Sequence, residues 1–300
     1  MFVQQVINGL TVGGVYALIA LGYTMVYGIL ELINFAHGEI YMLGAYLGII
    51  FLGFFTAIGL TAYSLPLALA LTFVLSIVFC SAYGFTIEKI AYKPLRNASR
   101  LSPLISAIGV SIFLQNYVML TQGATDKVFP HLFEETGFEM QGMTFTYIQI
   151  FIIVVSAALM MFLNLFITKT RMGKAMRAVA QDKTMASLVG INIDTVISVT
   201  FVIGSGLAAV AGLMVAMYYG LVNYSIGYIA GIKAFTAAVL GGIGSIPGAM
   251  FGGILLGLVE SLSSSYISPE YKDAYAFIIL IIILLIKPSG LFGKAHEEKV

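Results

Sequence analysis

The sequence predicts an all-α polytopic membrane protein, with about eight transmembrane helices plus broken or re-entrant segments. Three observations predict it. Charged residues are 10% of the 300 residues and hydrophobic residues 60%, where a soluble domain carries roughly 25% charged. The mean hydropathy is +0.99. The charges are clustered, leaving charge-free windows at 1–30, 40–87, 101–125, 140–168, 195–232, 234–259 and 274–286. Such a composition excludes a cytosolic enzyme, a secreted domain and a nucleic-acid binder, which needs a basic face. A single domain over 1–300 is expected.

The elements follow in order. Residues 1–30 carry no charge, so they lack the positive n-region of a cleavable signal, and they exceed the roughly 20 residues that cross a bilayer. The window 40–87 is too long for one crossing; Gly53, Gly59, Ser64 and Pro66 divide it into about 38–56 and 64–87. Windows 101–125, 140–168, 195–232 and 274–286 supply further spans. Between 231 and 264 the run Leu240–Gly248 holds Gly241, Gly242, Gly244, Pro247 and Gly248 and cannot be continuous helix. Two short segments meet there, as two short spans or as a re-entrant pair. Broken backbone at that depth must be buried in protein or line a cavity.

Basic residues set the orientation. Lys89, Lys93, Arg96 and Arg100 lie in the 88–100 loop, Lys169, Arg171, Lys174, Arg177 and Lys183 in about 168–194, and Lys287, Lys294 and Lys299 in the tail. The positive-inside rule places all three in the cytoplasm. The loop at about 122–146 has Asp126, Glu134, Glu135 and Glu139 against Lys127 and reads as outside. The N-terminus is then outside and the C-terminus cytoplasmic. Small residues recur at helical spacing (Gly9/Gly13, Gly44/Gly48, Gly204/Ala208/Gly212, Gly248/Gly252, Gly253/Gly257), as close helix packing in lipid requires. The lone Cys80 builds no disulfide framework, and with no Trp, Tyr and Phe must anchor the interfaces.

Catalytic patterns are scarce. Gly173-Lys174 and Gly293-Lys294 are each followed by Ala, so the chain has no P-loop for ATP. There is no H-E-x-x-H and no G-x-S-x-G, and His37, His131 and His296 are far apart. Three segments carry information. Glu31, Asn34, His37 and Glu39 crowd nine residues between the first two spans. They read either as a solvated loop, with Asn34 capping the next helix and Glu39 favouring its dipole, or as a polar lining at the membrane edge. From Arg171 to Gly190 the composition is helical, with Met172, Met176 and Val179 at i, i+4, i+7. That is an amphipathic helix lying on headgroups or docking in another protein's groove, ending at Gly190. Within the spans Gln115, Asn116, Asn223, Glu260, Tyr16, Tyr23, Tyr27 and Tyr41 read as interhelical bonds, anchors or pathway lining. Glu260 is the most costly if deep.

The residues that carry a resemblance are Tyr16–Gly28 (YALIALGYTMVYG), Ile33–Glu39 (INFAHGE), Ser106–Gly109, Phe113–Tyr117, Arg171-Met-Gly, Met185–Asn192 (MASLVGIN) and Ala234–Ala249 (AFTAAVLGGIGSIPGA). In them the chain strongly resembles, end to end, the LivH-type permease subunits of branched-chain amino acid ABC importers. Ala186-x-x-x-Gly190 is similar to the E-A-A-x-x-x-G loop by which such permeases dock on their ATPases, with Thr184 in place of the Glu. The resemblance implies a coupling loop carrying Arg171, Gly173, Arg177, Ala186 and Gly190. It also implies a homologous second permease, two ABC ATPases that bind the ATP and Mg, and an extracytoplasmic binding protein that delivers leucine, isoleucine or valine. The chain itself needs no cofactor and no metal. Pathway candidates are Asn34, His37, Glu39, Gln115, Asn116 and Glu260. The competing readings are a same-family permease for another amino acid, an amide or urea, and an ion-coupled secondary transporter, which would work without partner ATPases.

Overall fold

The computed structural model describes residues 2–96, 98–99, 101–130, 137–140 and 143–293. His131, Glu134 and Glu135, together with the tail from Lys294 through His296 and Lys299, lie outside the described residues. The helices begin with α1 (Phe2–Leu30), α2 (His37–Ala57), α3 (Leu60–Tyr63), α4 (Leu65–Ile87) and α5 (Leu101–Gln122). They continue with α6 (Tyr147–Lys169), α7 (Arg171–Gln181), α8 (Lys183–Leu188) and α9 (Ile193–Tyr219). The last three are α10 (Ile226–Gly241), α11 (Ile246–Tyr266) and α12 (Lys272–Ile286). A π turn at Glu88–Tyr92 and a 3₁₀ turn at Lys93–Leu95 extend α4.

The division of 40–87 falls where the punctuation predicts it. Gly59 adopts φ +78° and precedes α3, and Pro66 sits in the first turn of α4, where its missing N–H costs nothing. At α6, Thr146 and Gln149 form a reciprocal capping box. Seven helices are long and apolar enough to span among the described residues. α10 and α12, at 16 and 15 residues, are about 24 Å and 23 Å long and fall short of a hydrocarbon core of about 30 Å. The 122–146 loop is more structured than expected. β1 (Lys127–Val128) pairs antiparallel with β4 (Leu221–Val222), and β2 (Gly137–Met140) with β3 (Met143–Thr146).

Burial orders the bundle from inside out. In α1 and α9 the most apolar window is 83% buried; in α5 it is 17% and in α4 22%. α1 and α9 are therefore the centre, and α4 and α5 present apolar faces outward. The antiparallel seam between α1 and α11 shows why the centre is glycine-rich. A side chain on Gly13 would strike the backbone of Ile254, and one on Gly257 the backbone of Gly13. In lipid no hydrophobic drive joins helices, so close backbone approach and dispersion must do it. Lys89, Lys93, Arg96, the basic residues of α6–α8 and Lys287 share one end of the bundle, hereafter the basic end. There Glu88, fully buried, pairs with Arg96 and Lys89 and accepts from Ser198 on α9 (2.9 Å).

The broken turn is resolved in outline. α10 stops at Gly241, Gly242 and Gly244 take φ of +103° and +88°, and Ser245 caps α11 through the Gly248 N–H (3.2 Å). Pro247 sits in the first turn of α11. The C-terminal carbonyls of α10 are met from elsewhere: Leu291 and Phe292 N–H donate to Leu240 and Gly241 (both 2.9 Å). Of the two segments, α11 has the length and hydropathy of a span and α10 does not.

Candidate functional site

The chain between α1 and α2 turns back into the bundle, so that α2 begins deep. Asn34, His37 and Glu39 are each 1% exposed, which overturns the solvated-loop reading for these three, while Glu31 before them is exposed as that reading expects. Asn34 does not cap α2 directly. Its side chain accepts from the Ala36 N–H (3.1 Å) and the Tyr92 hydroxyl (2.8 Å), bracing the turn before the helix. His37 fits where Gly22 leaves room on α1, with its ring edge-on to Tyr23 at 4.9 Å. Glu39 lies in the first turn of α2, where the helix dipole favours a carboxylate. Its Oε1 accepts from Ser111 of α5 at 3.0 Å. Its Oε2 has no hydrogen-bond partner among the described residues and lies against Gly227 at the start of α10.

Ser111 and Gly227 are also walls of a cavity of about 500 Å³ between α1, α5, α10 and α12. The other walls are mostly apolar: Phe35, Ile108, Ile112, Ile232, Phe235 and Leu280, with Tyr23 and Gln115 supplying polar atoms. Gln115 is one helical turn beyond Ser111 on the same face of α5. Asn116 is not part of this chamber. It is exposed, and its amide is spent on the Ile112 carbonyl of its own helix (2.8 Å).

Glu260 belongs to a second, separate cluster. It accepts from the Tyr16 hydroxyl (2.9 Å) and pairs with Lys233 of α10 and Lys272 of α12, each at 3.1 Å. Lys233 also pairs with Asp273 at 2.5 Å. A smaller cavity of about 190 Å³ with more polar walls opens beside them, lined by Gln5, Asn8, Tyr219, Ser264 and others. The sequence reading singled out Glu260 but not Lys233, Lys272 or Asp273. The available signal was Lys233 itself, a single lysine dividing two apolar windows, which calls for a buried anionic partner.

At the basic end the single amphipathic helix expected over 171–190 is broken at Asp182, whose carboxylate caps α8 through the Met185 N–H (2.9 Å). Met176 and Val179 are buried against the chain's own body, so that face is already occupied. The exposed apolar residues are Met185, Leu188 and Val189. Gly173 sits against the backbone of Phe166 and Ile167, Arg171 and Arg177 are exposed, Ala186 is buried, and Gly190 takes φ +84° with open space around it.

A helical bundle of membrane-spanning length, with a largely apolar chamber at its side between α5 and α10, has the make-up of a multi-pass membrane permease. Comparison with known proteins makes this specific. Residues 5–284 match the family model described as the permease component of a branched-chain amino acid transport system, and the chain belongs to that family. It is 53% identical to the high-affinity branched-chain amino acid transport system permease protein LivH of Escherichia coli K12, and 52% identical to BraD of Pseudomonas aeruginosa. Each alignment covers 100% of this chain and 98% of the relative. A probable LivH of Methanocaldococcus jannaschii is 29% identical over 92% of this chain and 88% of its own.

Proposed function

We propose that the chain is the permease subunit of an ABC importer that carries leucine, isoleucine and valine across the cytoplasmic membrane, driven by separate ATPase subunits. The observation that carries the reading is the full-length, 53% identity to a permease named for high-affinity branched-chain amino acid transport. The chamber is in keeping with it, since a branched aliphatic side chain needs apolar walls and its backbone a few polar partners. A homologous second permease, two ATPases and an extracytoplasmic binding protein complete the machine. The N-terminus lies outside and the basic end faces the cytoplasm.

The loop over α7 and α8 is the ATPase-coupling element, with Met185, Leu188 and Val189 as the inserted apolar residues rather than Met172, Met176 and Val179. Gly190→Val tests it. A β-branched residue at positive φ is strained by about 1–3 kcal/mol, and the space there is open, so the change acts on the loop alone. ATPase co-purification and uptake should both fall while membrane insertion is unchanged; full coupling in that variant counts against the assignment. The function as a whole is tested in vesicles holding the complete complex. Leucine uptake should require ATP and survive collapse of ion gradients. Uptake that is indifferent to ATP and abolished by an ionophore would point to a secondary transporter.

A further inference from the structure

On another flank of the bundle, a groove of about 320 Å³ lies between α4, α6 and α9. Its floor is α9 from Val202 to Val210, and its walls include Ile77 of α4 and Leu159, Phe162 and Phe166 of α6. α4 and α6 meet at the end away from the basic one, where the rings of Phe73 and Phe151 are 5.8 Å apart. Nearer the basic end both helices line the groove. The one side-chain hydroxyl in the walls, on Ser81, is already used, donating to the Val202 carbonyl at 3.1 Å. No polar side chain is left for an occupant, and a polar ligand would be stranded there. The most apolar windows of α4 and α6 are only 22% and 28% buried, so the groove faces lipid. From Val202 to Val210 the floor runs about 12 Å, most of one leaflet of a core about 30 Å thick. The basic end of the groove is charged. On α6, Lys169 follows Phe166 by three residues, on the same face, and is exposed. On α9, Ser198 lies one turn before Val202, and Lys89 reaches it at 3.0 Å while remaining 34% exposed. Arg171 and Lys174 follow at the start of α7, both exposed. Lys169, Arg171 and Lys174 have no ion pair among the described residues. Glu88 and Asp194 do not supply the missing anion, because Lys89, Lys93 and Arg96 already pair with them, three cations to two carboxylates.

We propose that this groove holds an anionic phospholipid from the leaflet at the basic end, with an acyl chain along α9 between α4 and α6 and the phosphate at the mouth, between Lys169 and Lys89. Charge complementarity selects the occupant. An apolar helix of another protein would fill the groove but leave the cations at its mouth unmatched, whereas a phosphodiester at headgroup depth matches them. The site depends on the bundle lying in a membrane and not on what it carries. It also touches the corner from which α7 hangs, since Gly173 packs on the backbone of Phe166 and Ile167. The lipid chain against Phe166 therefore props that corner from outside.

The test uses the full-length chain with its co-purifying subunits in phosphatidylcholine nanodiscs. Two trace probes carry the same diazirine-bearing acyl chain and differ in headgroup, one phosphatidylglycerol and the other phosphatidylcholine. The phosphatidylglycerol probe should label Leu159–Phe166 and Val202–Val210 at least about fivefold more than the other, the preference one basic residue at a membrane surface gives. Elsewhere on the apolar surface the two should label equally. Lys169→Gln should cut the excess about fivefold, and Lys169→Arg should keep it. Ile203→Trp, which fills the groove, should abolish labelling there by both probes and leave it unchanged elsewhere. Equal labelling by the two probes, labelling spread evenly over α4, α5 and α6, or an unchanged excess in Lys169→Gln would each overturn the site. A photoactivatable residue in place of Phe162 that crosslinks to a co-purifying subunit would assign the groove to protein and overturn it too. If Ile203→Trp fails to fold, the ratio of the two probes on the unsubstituted chain decides.

Discussion

Glu260 and Glu39 are equally buried, at 1% exposure each, but their surroundings are opposite. Glu260 is saturated, with two lysines and a tyrosine hydroxyl on it and Asp273 completing the set. Glu39 has one serine on one oxygen and nothing on the other. An ionised group taken out of water must recover its lost hydration from partners. Glu260 recovers it inside the protein, and in doing so ties α1, α10, α11 and α12 together. Glu39 recovers only part of it among the described residues, through Ser111. Burial alone does not tell a saturated carboxylate from an unsaturated one; the count of satisfied oxygens does.

That contrast can be broken by substitution. The largest effect is expected for Lys233→Met, which removes the most buried cation of the Glu260 cluster. Breaking a buried pair costs about 3–5 kcal/mol, and the lower end applies because Lys272 still reaches Glu260. A lowered thermal midpoint in detergent measures it, and adding Glu260→Leu should return much of the loss by removing the stranded charge. If the single variant is as stable as the original, the cluster is not a strut. Glu39→Gln should leave stability within about 1 kcal/mol, since the amide oxygen can keep the Ser111 bond, yet sharply lower leucine uptake by the full complex. A thermal loss as large as that of Lys233→Met would place Glu39 among the struts after all. Asn116→Ala should change neither quantity beyond about 0.5 kcal/mol, the ordinary range for an outward position. A transport defect there would mean that the outer face of α5 takes part.

Much of the bundle was legible from charge-free windows, because a span is a property of a stretch. Gly59 and Pro66, and the run from Gly241 to Gly248, each mark a boundary that the structure respects. Side-chain direction was less legible. Gln115 and Asn116 are neighbours in sequence, but 100° of helical rotation puts one in the chamber and the other outside it. The amphipathic pattern over 171–190 was real, but periodicity does not say which protein covers the apolar face; Met176 and Val179 are covered by this one. Lys233 is hard to read because a single charge between two apolar windows looks only like the end of one. Its partners come from two other helices, and no local pattern announces a contact between helices.

The pairing of Leu291 and Phe292 with the end of α10 has a consequence for biogenesis. Until those residues leave the ribosome, the carbonyls of Leu240 and Gly241 have no protein donor, at the point where two glycines at positive φ reverse the chain. The hairpin of α10 and α11 is thus threaded into the membrane before its own clasp exists. A ribosome stalled beyond α12 but short of Gly290 should leave that hairpin open to protease, and a few more residues should close it.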